Sequence, residues 1–389
     1  MIKIPIAKPY LNQKELLLIE EVLNSGWLVQ GPKVAMFEKQ ISKYLLSDYA
    51  IATTSCTTAL HLSLLALGIG PGDEVILPSF TFIATANAIE YVGARPVFCD
   101  IDLSSYNIDV KKIPPLVSKN TKAIIPVHLF GLCANMNEIV EISKTYNLYI
   151  IEDAACALGS IFDNQYAGTF GHIGAFSFHP RKIITTGEGG MIITNNECVK
   201  NSVKTLRDQG STASDHKRHE EGIHYLPEFK CLGYNYRMTD MQAAMGLAQL
   251  EKLDFIIEKR RSIAVKYDRA FLEIKFLKTP IEPDNYRHTY QSYVCLFMPE
   301  NIDIENMEHL IKYRKVFVEY LSDNGIATRQ GTHAVHLQKY YKDKYHIEEK
   351  IYPNSYVADK LTVALPLFVQ MSDIEQEHVI NTIRRFRCE

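Results

Sequence analysis

The sequence predicts an α/β protein: a large domain with a mostly parallel sheet covered by helices, then a small C-terminal α+β domain. Three observations carry this. Short apolar runs at 50–54, 73–78, 96–100, 122–128 and 149–153 alternate with helical segments, the pattern of repeated βα units. The run at 149–153 ends in Glu152 and Asp153, as a central parallel strand does at the carboxyl edge where open α/β sheets bind ligands. Beyond residue 250, strands such as 290–297 alternate with helices such as 311–324.

The 389 residues suffice for these two domains. The expected division is 14–250 and 251–389, with the N-terminal arm 1–13 packing on the second domain. Residues 1–15 read as extended, broken by Pro5 and Pro9, and 16–23 as a short amphipathic helix. The chain then turns at 24–27 and again at Gly31 and Pro32. After the strand at 50–54, residues 57–67 hold apolar positions at three- and four-residue steps, a helix. Residues 208–230 are polar and read as a long solvated loop; His216 and His219 lie in it, without a ligand cluster to make a metal site. Thr239 and Gln242 fit a capping box that opens a helix over 241–250. Leu253, Ile256, Ile257, Ile263, Ala264, Tyr267 and Phe271 continue with helical period as the connector between domains.

The chemistry concentrates in the run SFHPRKIITTGEGG, from Ser177 to Gly190. Pro180 ends the pairing of an apolar strand, and Lys182 follows in an apolar setting. The glycines then permit a sharp turn and close approach to a ligand. A lysine there is a candidate carbonyl nucleophile, because desolvation lowers its pKa and frees the amine. The competing reading is a surface lysine along the sheet edge. Asp153 is suited to keep a pyridinium nitrogen protonated, as the partner of pyridoxal phosphate on a lysine; its competing reading is a helix N-cap. Ser55, Cys56 and Thr57 lie where backbone N–H groups of a helix N-terminus form a phosphate site, or where an ordinary cap would stand. Phe80 and Phe82 read as core by residue type.

EDAACALG, SFHPRKIITTGEGG and GYNYRMTDMQAA, in that order, resemble the DegT/DnrJ/EryC1/StrS family of sugar aminotransferases over nearly the whole chain. The resemblance implies a fold-type I enzyme with a seven-stranded-type sheet and pyridoxal 5′-phosphate as cofactor. Lys182 and Asp153 would be catalytic. Cys56, Thr57, Phe82, Cys156, Ser177 and Asn235 would join them around the cofactor. Phe82 would stack on its ring, and the turn at 55–57 would grip its phosphate. Arg237, His336 and Trp27 would lie toward the substrate. Asn235 and Arg237 would reach across a homodimer to the neighbouring subunit's site. The family commonly has Gly or Ala at Cys56, which leaves the backbone donor intact. It usually has Gln or Glu at Cys156, and a thiol cannot replace that hydrogen bond. The competing readings are a core anchor for Trp27 and a loop histidine bonding the backbone for His336.

Composition narrows the rest. A net charge of −3 argues against a nucleic-acid binder. No apolar run reaches the ~20 residues of a membrane span or forms a signal-peptide core, so the cytoplasm is expected. The eight cysteines include no CxxC pair, and neither GxGxxG after a strand nor GxxxxGK is present. The expected reaction moves an amino group from an amino acid, glutamate by expectation, to a nucleotide-linked keto-sugar. Two rivals are a sugar dehydratase, whose family members carry His at the position of Lys182, and a non-catalytic nucleotide-sugar-binding protein on the same fold.

Overall fold

The computed structural model describes residues 3–211, 228–304 and 307–387. Its centre is a seven-stranded sheet. The strands are β1 (Tyr49–Thr53), β2 (Glu74–Pro78), β3 (Arg95–Cys99), β4 (Thr121–Ile124), β5 (Tyr149–Asp153), β6 (Ile173–Ser177) and β7 (Gly190–Thr194), in the order β1-β7-β6-β5-β4-β2-β3. Every neighbouring pair is parallel except those of β7, which runs antiparallel to β1 and β6.

Both faces of the sheet are covered, so its strands alternate between two cores rather than between core and water. Ile150, Phe176 and Ile193 join one cluster; Ile151, Ala175 and Ile192 join the other. The helices are α1 (Gln13–Ser25), α2 (Pro32–Leu45), α3 (Cys56–Ala66), α4 (Ala84–Tyr91), α5 (Met136–Tyr146), α6 (Glu197–Arg207), α7 (Asp240–Leu250) and α8 (Leu253–Phe271). Phe37 and Ile41 of α2 and Leu247 of α7 pack on the first face. Leu60 and Leu64 of α3 pack on the second. The Thr239–Gln242 capping box is present at α7.

Two expectations near the N-terminus change. The first helix begins at Gln13, not 16, because Asn12 and Glu15 form a capping box ahead of it. Gly31 and Pro32 do not simply turn the chain: they are the N-cap and first residue of α2. Its N-terminal amides find their partner far along the chain. The buried carboxylate of Asp240 accepts from the N–H groups of Gly31 (2.8 Å), Lys33 (3.0 Å) and Val34 (3.0 Å).

A second, three-stranded antiparallel sheet lies beyond α8: β8 (Leu277–Lys278), β9 (Tyr293–Phe297) and β10 (Thr362–Leu365), with β9 in the middle. β9 starts later than the expected residue 290, since Tyr290 has a φ of 47°. Tyr267, Tyr293, Phe297, Phe317 and Ile383 build a core there, and Ile4 of the N-terminal arm belongs to it. Ile4 exchanges backbone hydrogen bonds with Gly325 (2.8 Å) and Ala327 (3.0 Å). Among the described residues no helix is long and apolar enough to cross a membrane.

Candidate active site

Asp153 closes β5. Its N–H donates to the carbonyl of Pro126 (2.9 Å), which lies just past β4, and its carbonyl accepts from the N–H of His128 (3.0 Å). β4 is shorter than the expected 122–128, since it ends at Ile124. The helix-cap reading of Asp153 fails, because the next helix among the described residues is α6. Instead the Thr85 hydroxyl donates to its Oδ2 (2.7 Å) and the Ala155 N–H to its Oδ1 (3.1 Å), with the Cys56 thiol 3.9 Å from Oδ1. The sequence offered no signal for Thr85, whose role depends on where α4 lies against β5.

Lys182 follows β6 in a tight turn, its N–H bonded to His179 O (2.8 Å). Its Nζ donates to Cys156 Sγ at 3.2 Å. The expected depression of its pKa is reversed. Burial is the largest single influence and does lower it, but Cys156, Cys56 and Asp153 around it raise it further, and the net shift is upward. Burial pushes the Cys56 thiol well up, so that sulfur is neutral at neutral pH. The surface-lysine reading fails on the same geometry, since the amine points into this cluster.

α3 begins directly beyond β1. The Ser55 side chain caps it through the Thr58 N–H, in a capping box. That cap leaves the Cys56 and Thr57 N–H groups, at the positive end of the helix, without a partner among the described residues. The cap and phosphate readings of this turn are therefore compatible. Gly190, first residue of β7, lies against it: a Cβ there would meet the Ser55 carbonyl carbon at 2.4 Å and the Cys56 nitrogen at 2.7 Å. Ser177 pairs with Gly190 at the end of β6 and is almost fully buried.

The two phenylalanines part company. Phe80 is core, whereas Phe82 is 62% exposed, two residues along and one turn before the Thr85 that holds Asp153. The core reading thus holds for Phe80 alone. Trp27 is half-buried and is not part of the core; its indole N–H donates to Gln30 O (3.2 Å) and the ring covers Gly31.

Asn235 is exposed and makes no side-chain hydrogen bond to Lys182 or Asp153 of its own chain. Arg237 pairs with Asp208 (2.5 Å). The neighbouring Tyr236 carbonyl accepts from Thr54 N–H (3.0 Å), so this segment runs past the end of β1. His336 has the surroundings of its alternative reading and not of a substrate contact. It is fully buried, with Nδ1 at 2.5 Å from Ser79 Oγ and Nε2 at 2.9 Å from the Glu349 carbonyl, leaving no ring nitrogen free. Burial holds it below the ordinary histidine value. His216 and His219 lie outside the described residues.

A buried carboxylate and a lysine amine thus meet the Cys56 and Cys156 sulfurs at the carboxyl edge of the sheet, where α3 begins with two N–H groups unpaired among the described residues and Phe82 stands exposed on the stretch that carries Thr85. That donor set fits pyridoxal phosphate: an anion for the ring nitrogen, an amine for the aldehyde and a helix end for the phosphate.

Comparison with known proteins agrees. Residues 9–384 match the model of the DegT/DnrJ/EryC1/StrS aminotransferase family. The chain is 36% identical, over 98% of its length and 96% of the other's, to the spore coat polysaccharide biosynthesis protein SpsC of Bacillus subtilis. Its structure is similar to that of PseC, an aminotransferase of pseudoaminic acid biosynthesis in Helicobacter pylori, with a TM-score of 0.89, 26% identity and 99% of each chain covered. It is equally similar to the PLP form of the putative sugar aminotransferase Spr1654 of Streptococcus pneumoniae, with a TM-score of 0.89, 27% identity and 98% of each chain covered.

Proposed function

The chain belongs to the DegT/DnrJ/EryC1/StrS aminotransferase family, and from that premise we propose that this PLP-dependent sugar aminotransferase takes its amino group from glutamate. The acceptor in this reading is a nucleotide-linked 3- or 4-keto-6-deoxy sugar destined for a surface polysaccharide, a glycan or a secondary metabolite. The observation that carries it is the convergence of the Lys182 amine and the buried Asp153 carboxylate on one cleft, bridged by Cys56 and Cys156.

Pyridoxal phosphate, when bound, supplies the electron sink that transamination needs. Lys182 Nζ would hold it at the aldehyde carbon and, as a free amine, would take the proton from the donor α-carbon and hand it on. Asp153, oriented by Thr85 and Ala155, holds the proton on the ring nitrogen. The Phe82 ring would cover the cofactor ring and exclude water, and the Cys56 and Thr57 N–H groups, with Ser177, would hold the phosphate. Cys156, next to Lys182, would offer the cofactor only a weak hydrogen bond.

The active site in this reading is shared within a cytoplasmic homodimer, with Asn235 and Arg237 serving the neighbouring subunit and Trp27 at the substrate rim. The exposure of Asn235 supports this. We divide the chain into a cofactor-binding part, 14–250, and a smaller part, 251–389, on which the arm 1–13 packs; the place of Ile4 in the second core supports that division.

The test has two stages. Borohydride reduction and peptide mapping should put the pyridoxyl group on Lys182, and Lys182→Ala should lose transamination by several orders of magnitude. A panel of nucleotide-linked 3-keto and 4-keto sugars, incubated with glutamate and read by mass spectrometry, should then yield one aminated product. A label elsewhere, or amination of none of them, overturns the corresponding part.

A further inference from the structure

Arg329 carries a guanidinium that meets no carboxylate. Its Nε is buried and has no hydrogen-bond partner among the described residues. Burial holds its pKa below the ordinary arginine value, Arg181 beside it lowers it further, and the one opposing influence is Cys156. Other arginines packed into this protein have partners: Arg207 pairs with Glu38 (2.8 Å), Arg261 with Glu282 (2.5 Å), and Arg260 donates to the carbonyls of Tyr290 (2.9 Å) and Gln291 (2.6 Å).

The position of this unmatched charge gives it meaning. The Arg329 carbonyl accepts from the Ala364 N–H (2.7 Å), which fixes the residue along the edge of β10. Its side chain shares a small, partly open cleft with Arg181, Gln291, Ser292 and Ile6. Arg181 is the residue before Lys182, and Gln291 holds its carbonyl at 2.7 Å. Cys156, which Arg329 senses, is the sulfur that touches Lys182 Nζ at 3.2 Å. Burial lowers the His179 pKa, Glu188 opposes this, and Lys182, Arg181 and Arg329 add to it. Two arginines therefore line one cleft, one of them next in the chain to the reactive lysine, and no acidic side chain lines it with them. Such an arrangement is repulsive until an anion enters.

The cleft also selects the anion. The cofactor phosphate has its own place at the α3 N-terminus, bordered by β1 and β7. The space at Arg329 is narrow and partly apolar, suited to a planar group held by a guanidinium fork rather than to a diphosphate. An amino-acid donor must bring its amine to the carbon held by Lys182, and its carboxylates follow within a few bond lengths.

We propose that Arg329, with Arg181 beside it, is the receptor for a carboxylate of the amino-acid donor. The proposal deepens the functional reading and rests on Lys182 as the cofactor-bearing residue. Because the Arg329 side chain makes no hydrogen bond among the described residues, Arg329→Gln leaves the melting temperature and the PLP content of the protein unchanged. The KM for glutamate rises about 30-fold or more, while kcat moves by less than about threefold. Glutarate, which has both carboxylates and no amine, inhibits the wild type competitively and loses roughly tenfold or more of its potency against the variant. Arg329→Lys recovers part of both losses, and Arg181→Gln, an exposed change that does not threaten folding, shows a weaker form of them. An unchanged KM for glutamate in Arg329→Gln overturns the proposal. So does a loss that appears with inorganic phosphate as the competitor and not with glutarate. If the wild type carries no PLP on Lys182, the functional reading fails and takes the receptor with it. A loaded and active wild type beside an unaffected variant removes the receptor alone.

Discussion

Glu152 and Asp153 are consecutive residues of β5, and the pleat sends their side chains to opposite faces of the sheet. Glu152 is wholly buried and fully engaged. Its Oε2 accepts from the Gly168 N–H (2.7 Å) and from His128 Nε2 (2.8 Å), and its Oε1 accepts from the Gly171 N–H (2.6 Å). His128 Nδ1 in turn accepts from the Ala134 N–H (3.0 Å), which puts the imidazole proton on Nε2. Asp153 has one backbone amide, one hydroxyl and a distant thiol, and keeps acceptor capacity on the cleft side. One acid is spent on holding the loop at 168–171 to the sheet; the other is held in place and left available. Saturation of its partners, rather than burial, separates a structural carboxylate from a working one.

The largest effect that tests this contrast belongs to Asp153→Asn. The half-reaction with glutamate should slow a hundredfold or more, about 3 kcal/mol of barrier, with PLP content and melting temperature close to wild type. A near-normal rate at full occupancy would remove Asp153 from the chemistry. Glu152→Gln should do the reverse. It turns one acceptor oxygen into a donor facing a donor, at a cost of about 2–3 kcal/mol in stability. Chemical denaturation should show that loss, while the rate per folded, loaded enzyme stays near wild type. Equal damage to the rate would dissolve the distinction.

Thr85→Val comes next. It strips Oδ2 of its hydroxyl donor, so the half-reaction should fall roughly fivefold, the ~1 kcal/mol of one hydrogen bond. Normal turnover in this variant would mean that Asp153 needs no orienting. The smallest effect is a shift in titration. Asp153 is among the groups that hold the Lys182 pKa up against burial, so Asp153→Asn should lower it, since the ammonium loses a stabilising anion. In cofactor-free protein, acetylation of Lys182 followed against pH by mass spectrometry should move its midpoint downward. Glu152→Gln should leave that midpoint where it is.

What the sequence made legible follows the same line. β5, the turn after β6 and the capping box before α7 rest on contiguous residues, and each stands where its local pattern places it. Asp153 is legible because it ends an apolar strand, and Lys182 because it follows one just past a proline. Thr85, Asp240 and Arg329 are not, because each matters only through residues dozens to hundreds of positions away. The start of α2 had a usable signal, since Gly then Pro ahead of a helical pattern is an N-terminus as well as a turn. His336 shows the limit of motif matching: the residue stands in its motif, but Ser79 and Glu349 consume both ring nitrogens. The upward Lys182 shift is not legible locally, because burial alone lowers it and the two sulfurs and the carboxylate that raise it come from distant parts of the chain.

The carboxylate of Asp240 gathers three amides of residues 31–34, and its own N–H is tied to the Val29 carbonyl (3.1 Å). In mechanical terms it is a rivet. The loop bearing Trp27 hangs from one side of it, and the stretch bearing Asn235 and Arg237 leads into it from the other. Loosening the joint would strand a buried carboxylate and three donors together, so neither piece swings without dragging its companion.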